Sequence, residues 1–196
     1  NLVEGVLGFW QRTFPESIKL SLECMPGDYI VQADASQLRQ ALTNLALNAR
    51  DAMPDGGKLH IQMSQLEVAL GHSGPMAGMW PGKWVRLALS DTGAGMSPEV
   101  LQHLFKPFFT TKLPDKGTGL GLAQVYGIIR QHDGQIAVES EPGRGTTFTM
   151  YLPLVAEAAE ESLSEESDIP HGQGEWVLLV EDDRHVAEMG RALLTS

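Results

Sequence analysis

Three glycines at alternate positions form the segment of this chain best suited to binding chemistry. These glycines are Gly117, Gly119 and Gly121. They follow the aromatic, proline-containing stretch FKPFFTTKLPDK and precede a run with helical spacing. Glycines at a helix N-terminus leave backbone N–H groups accessible where the helix dipole favours negative charge. Lys112 and Lys116 lie just upstream. The pattern predicts a phosphate site, although its GxGxG spacing matches neither GxxxxGK[ST] nor GxGxxG.

Two asparagines and an aspartate share one face of a predicted helix at 36–53. Asn44, Asn48 and Asp51 are spaced i, i+4 and i+7, which places them on the same side of the helix. Asparagine offers an uncharged oxygen, which suits Mg²⁺ that already carries phosphate and water ligands. A solvated helix face has the same appearance. The helix alone therefore leaves a metal site and a solvated polar stripe both open.

The segment DTGAGM at 91–96 follows the predicted strand VRLALS. Asp91 at the strand end can accept a hydrogen bond from the exocyclic amine of adenine, and Gly93 and Gly95 let the backbone approach a planar ligand. The letters D-T-G-A also resemble the active-site loop of retroviral-type aspartic proteases, whose two aspartates usually come from two subunits. A tight turn is the third interpretation. The segment alone does not separate the three.

Helical and strand-like patterns alternate along residues 1–153. Apolar spacing predicts helices in the first dozen residues, at 36–53 behind an Asp34 cap, and at 120–132. Alternation predicts strands at 17–23, 58–68 and 83–90. A short strand is predicted at 29–33 after the turn at 26–28, and a hairpin around Pro142-Gly143.

Composition narrows the class of protein. The chain is 42% hydrophobic and 20% charged, as in ordinary globular proteins. It has no run of about 18–20 apolar residues and no basic signal-peptide region. Its one cysteine, Cys24, suits a reducing compartment, so we expect a cytoplasmic location. Of the 25 acidic residues, 11 lie in 154–196, and the chain lacks the basic balance that nucleic-acid binding needs.

Taken in order, the motifs resemble the ATP-binding domain of bacterial sensor histidine kinases. That family carries an asparagine-bearing N box, a G1 box, an F box, a G2 box and a final Gly-Thr strand. The corresponding segments here are NLALNARDA, DTGAGM, FKPFF, GTGLGL and GRGTTFTMYLP. An aspartic protease accounts for only one of them. The resemblance covers 1–153 and implies a Bergerat-type α/β (α+β) two-layer sandwich, a mixed sheet covered on one face by helices.

The resemblance also implies ATP and Mg²⁺ as ligands and assigns roles to single residues. Asn48 would coordinate Mg²⁺ with Asn44 in support, and these two are the expected catalytic residues. Asp91 would bind the adenine amine, and Thr146 would support it through its hydroxyl. The loop 106–118 would be a mobile ATP lid. The other expected nucleotide contacts are Asp51, Gly93, Gly95, Met96, Lys112, Gly117, Thr118, Gly119, Leu120, Gly121 and Leu122. Three aromatic residues are expected to anchor the lid in the core: Phe105, Phe108 and Phe109.

The related topoisomerase, heat-shock and mismatch-repair ATPases place a glutamate general base one turn before the metal asparagine. This chain has Asn44 there, and an amide cannot take a proton from water. We therefore expect ATP binding with slow hydrolysis, and transfer of the γ-phosphoryl group to a histidine on a separate dimerisation hairpin. None of the chain's six histidines matches the acceptor pattern. An ATPase, a serine-kinase relative and a pure binding module remain alternatives.

The sequence changes character after residue 153. Residues 154–175 are predicted to be an acidic linker. The run VLLVEDD within 176–196 resembles the first strand of a receiver domain, with Glu181 and Asp182 as its acidic pair. We expect a hybrid kinase of a phosphorelay, with a parent protein that could be membrane-anchored upstream. Residues 1–196 by themselves are expected to be monomeric.

Overall fold

The computed structural model describes residues 2–71, 74–111 and 118–155. The helices within these ranges are α1 (Leu2–Thr13), α2 (Ala35–Asp51), α3 (Pro98–Leu101) and α4 (Gly121–Gln131). The strands are β1 (Ile18–Cys24), β2 (Gly57–Val68), β3 (Gly82–Asp91), β4 (Gln135–Glu141) and β5 (Gly145–Pro153). The predicted receiver fragment and all but the first two residues of the predicted linker lie outside the described residues.

The five strands form one mixed sheet in the order β1-β2-β3-β5-β4. β1 and β2 are parallel, and the other neighbouring pairs are antiparallel. The register aligns Asp91 of β3 with Thr146 of β5, and Thr146 with Ser140 of β4. Because directly opposite residues place their side chains on the same face of a sheet, these three polar groups form a short row across the strand ends.

The main core lies between the helices and one face of the sheet. α2 buries Leu42, Leu45 and Ala49 against this face, and α4 buries Val125 and Ile129. The strands contribute alternate residues to the same core, as their period of two requires: Leu59, Ile61, Leu87, Leu89, Phe148 and Met150. Each fully buried side chain of this size contributes about 1.5–3 kcal/mol to folding. The predicted mixed sheet with helices on one face is confirmed.

A second, smaller cluster covers part of the opposite face of the sheet. Trp84 and Tyr151 are buried there with Val68 and Met79. The indole Nε1–H of Trp84 donates to the backbone oxygen of Trp80 at 3.2 Å. The Gly-, Pro- and Met-rich connection between β2 and β3 thus folds over the sheet instead of forming a plain loop, which the sequence pattern did not predict.

The predicted strand at 29–33 is wrong, whereas the predicted Asp34 cap is confirmed. The 29–33 segment makes only scattered hydrogen bonds, such as Val155 N–H to the oxygen of Ile30 at 2.8 Å, and no continuous ladder. Asp34 Oδ1 accepts hydrogen bonds from the N–H groups of Ser36 and Gln37 at 2.7 and 3.2 Å. The Ser36 side chain and these amides hold the pKa of Asp34 below its ordinary value.

In the part of the chain that the structure describes, no helix has both the length and the apolar character required to cross a bilayer.

Candidate functional site

Asp91 is a buried carboxylate at the end of the central strand β3, only 8% exposed. Its Oδ1 accepts two backbone hydrogen bonds, from Gly93 N–H at 2.8 Å and Thr146 N–H at 3.3 Å. Burial raises the pKa of Asp91, and the two amide donors offset part of that rise. Since both bonds fall on Oδ1, Oδ2 is the oxygen available to a ligand that offers a hydrogen-bond donor.

Three glycines let backbone segments converge on Asp91. A Cβ on Gly93 would lie 2.7 Å from the oxygen of Ala52, and one on Gly95 would lie 2.0 Å from the oxygen of Glu141. Gly145 would place a Cβ 2.0 Å from the Asp91 backbone oxygen. The expected role of Gly93 and Gly95 was close approach to a planar ligand. Among the described residues, Gly93 lies against the backbone at the C-terminal end of α2, and Gly95 lies against the backbone of the β4–β5 hairpin.

The hydroxyl of Ser140 connects this end of the site to the hairpin. Its Oγ accepts from Met96 N–H at 2.8 Å, donates to the oxygen of Gly145 at 2.9 Å, and lies 2.9 Å from Thr146 Oγ1. Ser140 was not singled out by the sequence, whereas Gly145 is the glycine of the predicted Gly-Thr strand. The hairpin register, which aligns residue 140 with residue 146, is the signal that could have identified Ser140.

Helix α2 connects the Asp91 end of the site to the start of α4. At its C-terminal end, the oxygen of Ala52 accepts from Ala94 N–H at 3.0 Å. Two turns earlier, Asn44 Nδ2 donates to the oxygen of Gly121 and to Gln124 Oε1, each at 3.3 Å. Residues 44 and 52 are separated by about 12 Å along a helix. The structure therefore brings the predicted N box, G1 box and G2 helix into contact.

The other two predicted site residues on α2, Asn48 and Asp51, lie in different environments. Asn48 is half-buried one turn after Asn44, on the same side of the helix as predicted. Asp51 is exposed, and its Oδ1 forms an ion pair with Arg50 Nη2 at 2.8 Å. Asp51 is thus paired with its own neighbour on the helix, and the nucleotide contact expected for it stays a prediction.

Phe108 and Gly119 close the base of the predicted lid. Phe108 N–H donates to the oxygen of Gly119 at 2.9 Å, and a Cβ on Gly119 would lie 2.4 Å from the Phe108 backbone carbon. Both residues have positive φ, 66° and 67°. The two ends of the predicted lid are therefore in direct backbone contact. Within the loop, Lys112 and Gly117 lie outside the described residues.

The remaining predicted contacts lie on or before α4. Thr118 is exposed, whereas Leu120 and Leu122 are half-buried, and Leu122 packs against the main core. Gly121 is the first residue of α4. The first backbone N–H groups of this helix have no partner within the helix itself, as a phosphate site requires.

The three aromatic residues at the base of the lid do not all anchor it in the core. Phe105 packs against the main core with its ring 5.2 Å from that of Tyr126. Phe109 is half-buried, edge-on to His103 at 5.6 Å. The prediction is wrong for Phe108, which is 75% exposed. Its positive φ and its backbone bond to Gly119 turn the side chain outward.

An apolar pocket of about 400 Å³ lies at the other end of the sheet. It is lined by α1, the 27–31 segment, the first half of α2 and strand residues that include Val85. Val85 is six residues before Asp91, or about 20 Å along a strand. The pocket is lined mainly by aliphatic side chains, so it does not suit a polyphosphate.

Comparison with known proteins shows what the chain is similar to. The family described as histidine kinase-, DNA gyrase B-, and HSP90-like ATPases matches residues 33–156. Sensor kinase CckA of Brucella abortus (strain 2308) is 39% identical over an alignment of 194 residues that covers 94% of this chain and 20% of that protein. This chain therefore spans about a fifth of that relative's length.

Two solved structures show the same likeness in three dimensions. The mycobacterial sensor histidine kinase MprB has a TM-score of 0.62 at 26% identity, covering 78% of this chain and 91% of that one. Full-length ShkA in complex with AMPPNP has a TM-score of 0.61 at 27% identity, covering 78% and 29%. Since the family match includes all the motifs at once, the aspartic-protease interpretation of DTGA is wrong.

Proposed function

Because this chain belongs to the histidine kinase-, DNA gyrase B- and HSP90-like ATPase family and is homologous to sensor kinases of two-component systems, we propose that it is the ATP-binding catalytic module of a hybrid sensor histidine kinase. The observation that carries the proposal is the path from Asp91 along α2 to Gly121. One end of this path has a buried hydrogen-bond acceptor, which suits the adenine amine. The other end has a helix N-terminus, which suits the phosphates.

In this proposal the adenine amine donates to Asp91 Oδ2, and Thr146 supports the same end of the base. The phosphates lie at the N-terminal end of α4, where backbone N–H groups and the helix dipole favour anions. The predicted lid, whose base is closed by Phe108 and Gly119, would cover them, and Lys112 would be one of its phosphate contacts. The fold thus holds the two ends of the nucleotide through different elements, so each end can be perturbed separately.

A magnesium ion fits this donor set. Mg²⁺ keeps several waters and is usually held by one or two protein oxygens together with substrate phosphates. Among residues 2–71, 74–111 and 118–155, no group of three or more His, Cys, Asp or Glu side chains could hold a metal by itself. The ion would therefore depend on ATP, with Asn48 as its protein ligand, and it would screen the phosphate charge.

The reaction is transfer to a histidine on a separate dimerisation hairpin. A histidine nitrogen attacks the γ-phosphorus while the bond to the β–γ bridging oxygen breaks, and ADP leaves. Catalysis of this kind relies on positioning and charge stabilisation. Asn44 donates its amide to Gly121 and Gln124 and cannot act as a base. Slow hydrolysis follows, which separates this proposal from an ATPase or a serine kinase.

The proposal for the whole protein goes further. Residues 154–175 would be an acidic linker and 176–196 the start of a receiver domain. The match to sensor kinase CckA covers 94% of this chain, more than the 33–156 covered by the ATPase family, so a sensor kinase shares part of the sequence outside the ATP-binding domain. The module would work on the cytoplasmic side, where ATP is supplied, with the hairpin and a receiver as its protein partners.

We expect the Asn48→Asp variant to change the Mg²⁺ dependence of ATP binding. A carboxylate beside the phosphates repels ATP when Mg²⁺ is absent and attracts the ion when it is present. The ratio of ATP affinities with and without Mg²⁺ should therefore rise about tenfold, whereas adenosine affinity should stay within about twofold, in calorimetric titrations.

Gln40→Glu is the matched control, because it makes the same amide-to-carboxylate change at an exposed position of α2. It should leave both affinities near those of the wild type. An unchanged Mg²⁺ dependence in Asn48→Asp would refute the metal assignment. Failure of the wild type to bind ATP at all would refute the proposed function.

A further inference from the structure

The Ser140 hydroxyl has three polar neighbours at hydrogen-bond distance. They are the N–H of Met96 at 2.8 Å, the backbone oxygen of Gly145 at 2.9 Å and the hydroxyl oxygen of Thr146 at 2.9 Å. A serine hydroxyl has one proton to donate and two lone pairs that accept. Three neighbours therefore use its complete hydrogen-bonding capacity, and each bond must have a defined direction.

The direction of each bond follows from the chemistry of the partner. A carbonyl oxygen cannot donate, so the Ser140 proton is used on Gly145. The Met96 N–H can only donate, so it occupies one lone pair of Ser140. The contact with Thr146 then requires the Thr146 proton, which occupies the second lone pair. Thr146 Oγ1 therefore has no proton left for any other group and can only accept.

Thr146 lies beside the carboxylate that the proposed function assigns to adenine. Thr146 N–H donates to Asp91 Oδ1, and the two residues are directly opposite each other on β3 and β5. Their side chains are consequently on the same, helix-facing side of the sheet. This end of the site presents Asp91 Oδ2 and Thr146 Oγ1, and both are acceptors.

We propose that Ser140 is a positioning residue that fixes the Thr146 hydroxyl as an acceptor and thereby strengthens selection of 6-aminopurine over 6-oxopurine nucleotides. The inference rests on the proposed function, since it concerns the base end of the same site. Adenine carries an N–H donor at position 6, whereas hypoxanthine carries an oxygen acceptor there. Two acceptors that face position 6 favour the first base over the second, and the N1–H donor that only hypoxanthine carries reduces this preference without reversing it at position 6.

Removing the Ser140 hydroxyl frees the Thr146 proton. In the Ser140→Ala variant, Thr146 can turn its O–H towards a 6-oxo group, so inosine triphosphate gains a partner that it lacks in the wild type. We expect the ratio of ATP affinity to inosine triphosphate affinity to fall about fivefold, measured by calorimetry with Mg²⁺ present. Ser140→Thr retains a hydroxyl in a strand position and should restore the ratio.

Ser90→Ala is the matched control. Ser90 Oγ lies 2.9 Å from Thr147 Oγ1, a similar serine–threonine pair on the opposite face of the same sheet. Its loss should leave the ratio unchanged. In a Thr146→Val background, which has no hydroxyl to orient, Ser140→Ala should have no further effect on the ratio. That result identifies Thr146 as the group through which Ser140 acts.

The outcomes separate the two levels of the proposal. A merely structural role for Ser140 would weaken ATP and inosine triphosphate equally, leave the ratio unchanged and overturn the inference while the wild type still bound ATP. An unchanged ratio in Ser140→Ala with normal folding by circular dichroism would overturn it as well. Absence of ATP binding by the wild type would instead remove the proposed function itself.

Discussion

We expect the Asp91→Asn variant to bind ATP at least about tenfold more weakly than the wild type and to unfold at an equal or higher temperature. A hydrogen bond to a charged group contributes about 1.5–3 kcal/mol, and the amide that replaces Oδ2 can present a donor towards the donor of adenine. The remaining amide oxygen can still accept from Gly93 and Thr146, so the local fold should persist.

The stability part of this expectation follows from the pKa of Asp91. Burial raises that pKa, so the native state binds a proton more tightly than the unfolded chain does. The free energy of unfolding therefore falls as pH rises from the ordinary carboxyl value, about 4, through the raised value. Asparagine carries no charge and avoids this loss. The gain in the free energy of unfolding of Asp91→Asn over the wild type should therefore be absent in acid and complete near neutral pH.

Calorimetric titration with ATP and thermal unfolding at several pH values measure the two effects separately. Asp55→Asn removes the same charge at an exposed position and should change neither ATP affinity nor the pH profile. Equal ATP affinity in Asp91→Asn and the wild type would remove the adenine-binding role of Asp91. A lower unfolding temperature near neutral pH would contradict the assignment of a destabilising buried charge.

The Gly145→Ala substitution should abolish ATP binding and lower stability by about 2 kcal/mol or more. Gly145 has a φ of +97°, and its new Cβ would lie 2.0 Å from the backbone oxygen of Asp91. The β3 and β5 strands would have to separate where Thr146 N–H holds the Asp91 carboxylate. Chemical denaturation measures the loss of stability, and calorimetry measures the loss of ATP affinity.

Gly143→Ala separates backbone strain from the close contact. Gly143 also has a positive φ, +77°, but a Cβ at this position would meet nothing within 4 Å beyond its chain neighbours. The variant should therefore show only the strain of that conformation and should still bind ATP. Equal effects of the two substitutions would mean that the close approach to Asp91 has no role.

Much of the fold could be predicted from local patterns. Asp34 caps α2 because its side chain can reach only the next few N–H groups, and a cap of this kind is visible in the sequence. The strand at 29–33 was wrongly predicted from a short run that follows the turn at 26–28. A strand also needs a neighbour that pairs along its length, and a short local run carries no information about the neighbour.

The sequence predicted those site residues whose role depends on residue type. It missed a residue whose role depends on the register between paired strands. Asp91, Asn44 and Gly121 were identified from the motifs, and the structure brings them onto one path. Ser140 acts through contacts across strands, which are fixed by pairing rather than by any local motif. The Gly-Thr motif includes Gly145, but the close approach of this glycine to Asp91 also depends on the pairing. Phe108 was misplaced because its outward direction depends on a positive φ at a point of close backbone contact with Gly119.

Phosphoryl transfer from radiolabelled ATP tests the central claim most directly. The chain is incubated with Mg²⁺ and ATP labelled at the γ-phosphoryl group, first alone and then with the histidine-bearing hairpin of the parent kinase. We predict little phosphate release by the chain alone, and an acid-labile label on the histidine of the hairpin when both are present. Rapid phosphate release by the chain alone, or an unlabelled hairpin while ATP is bound, would contradict this account.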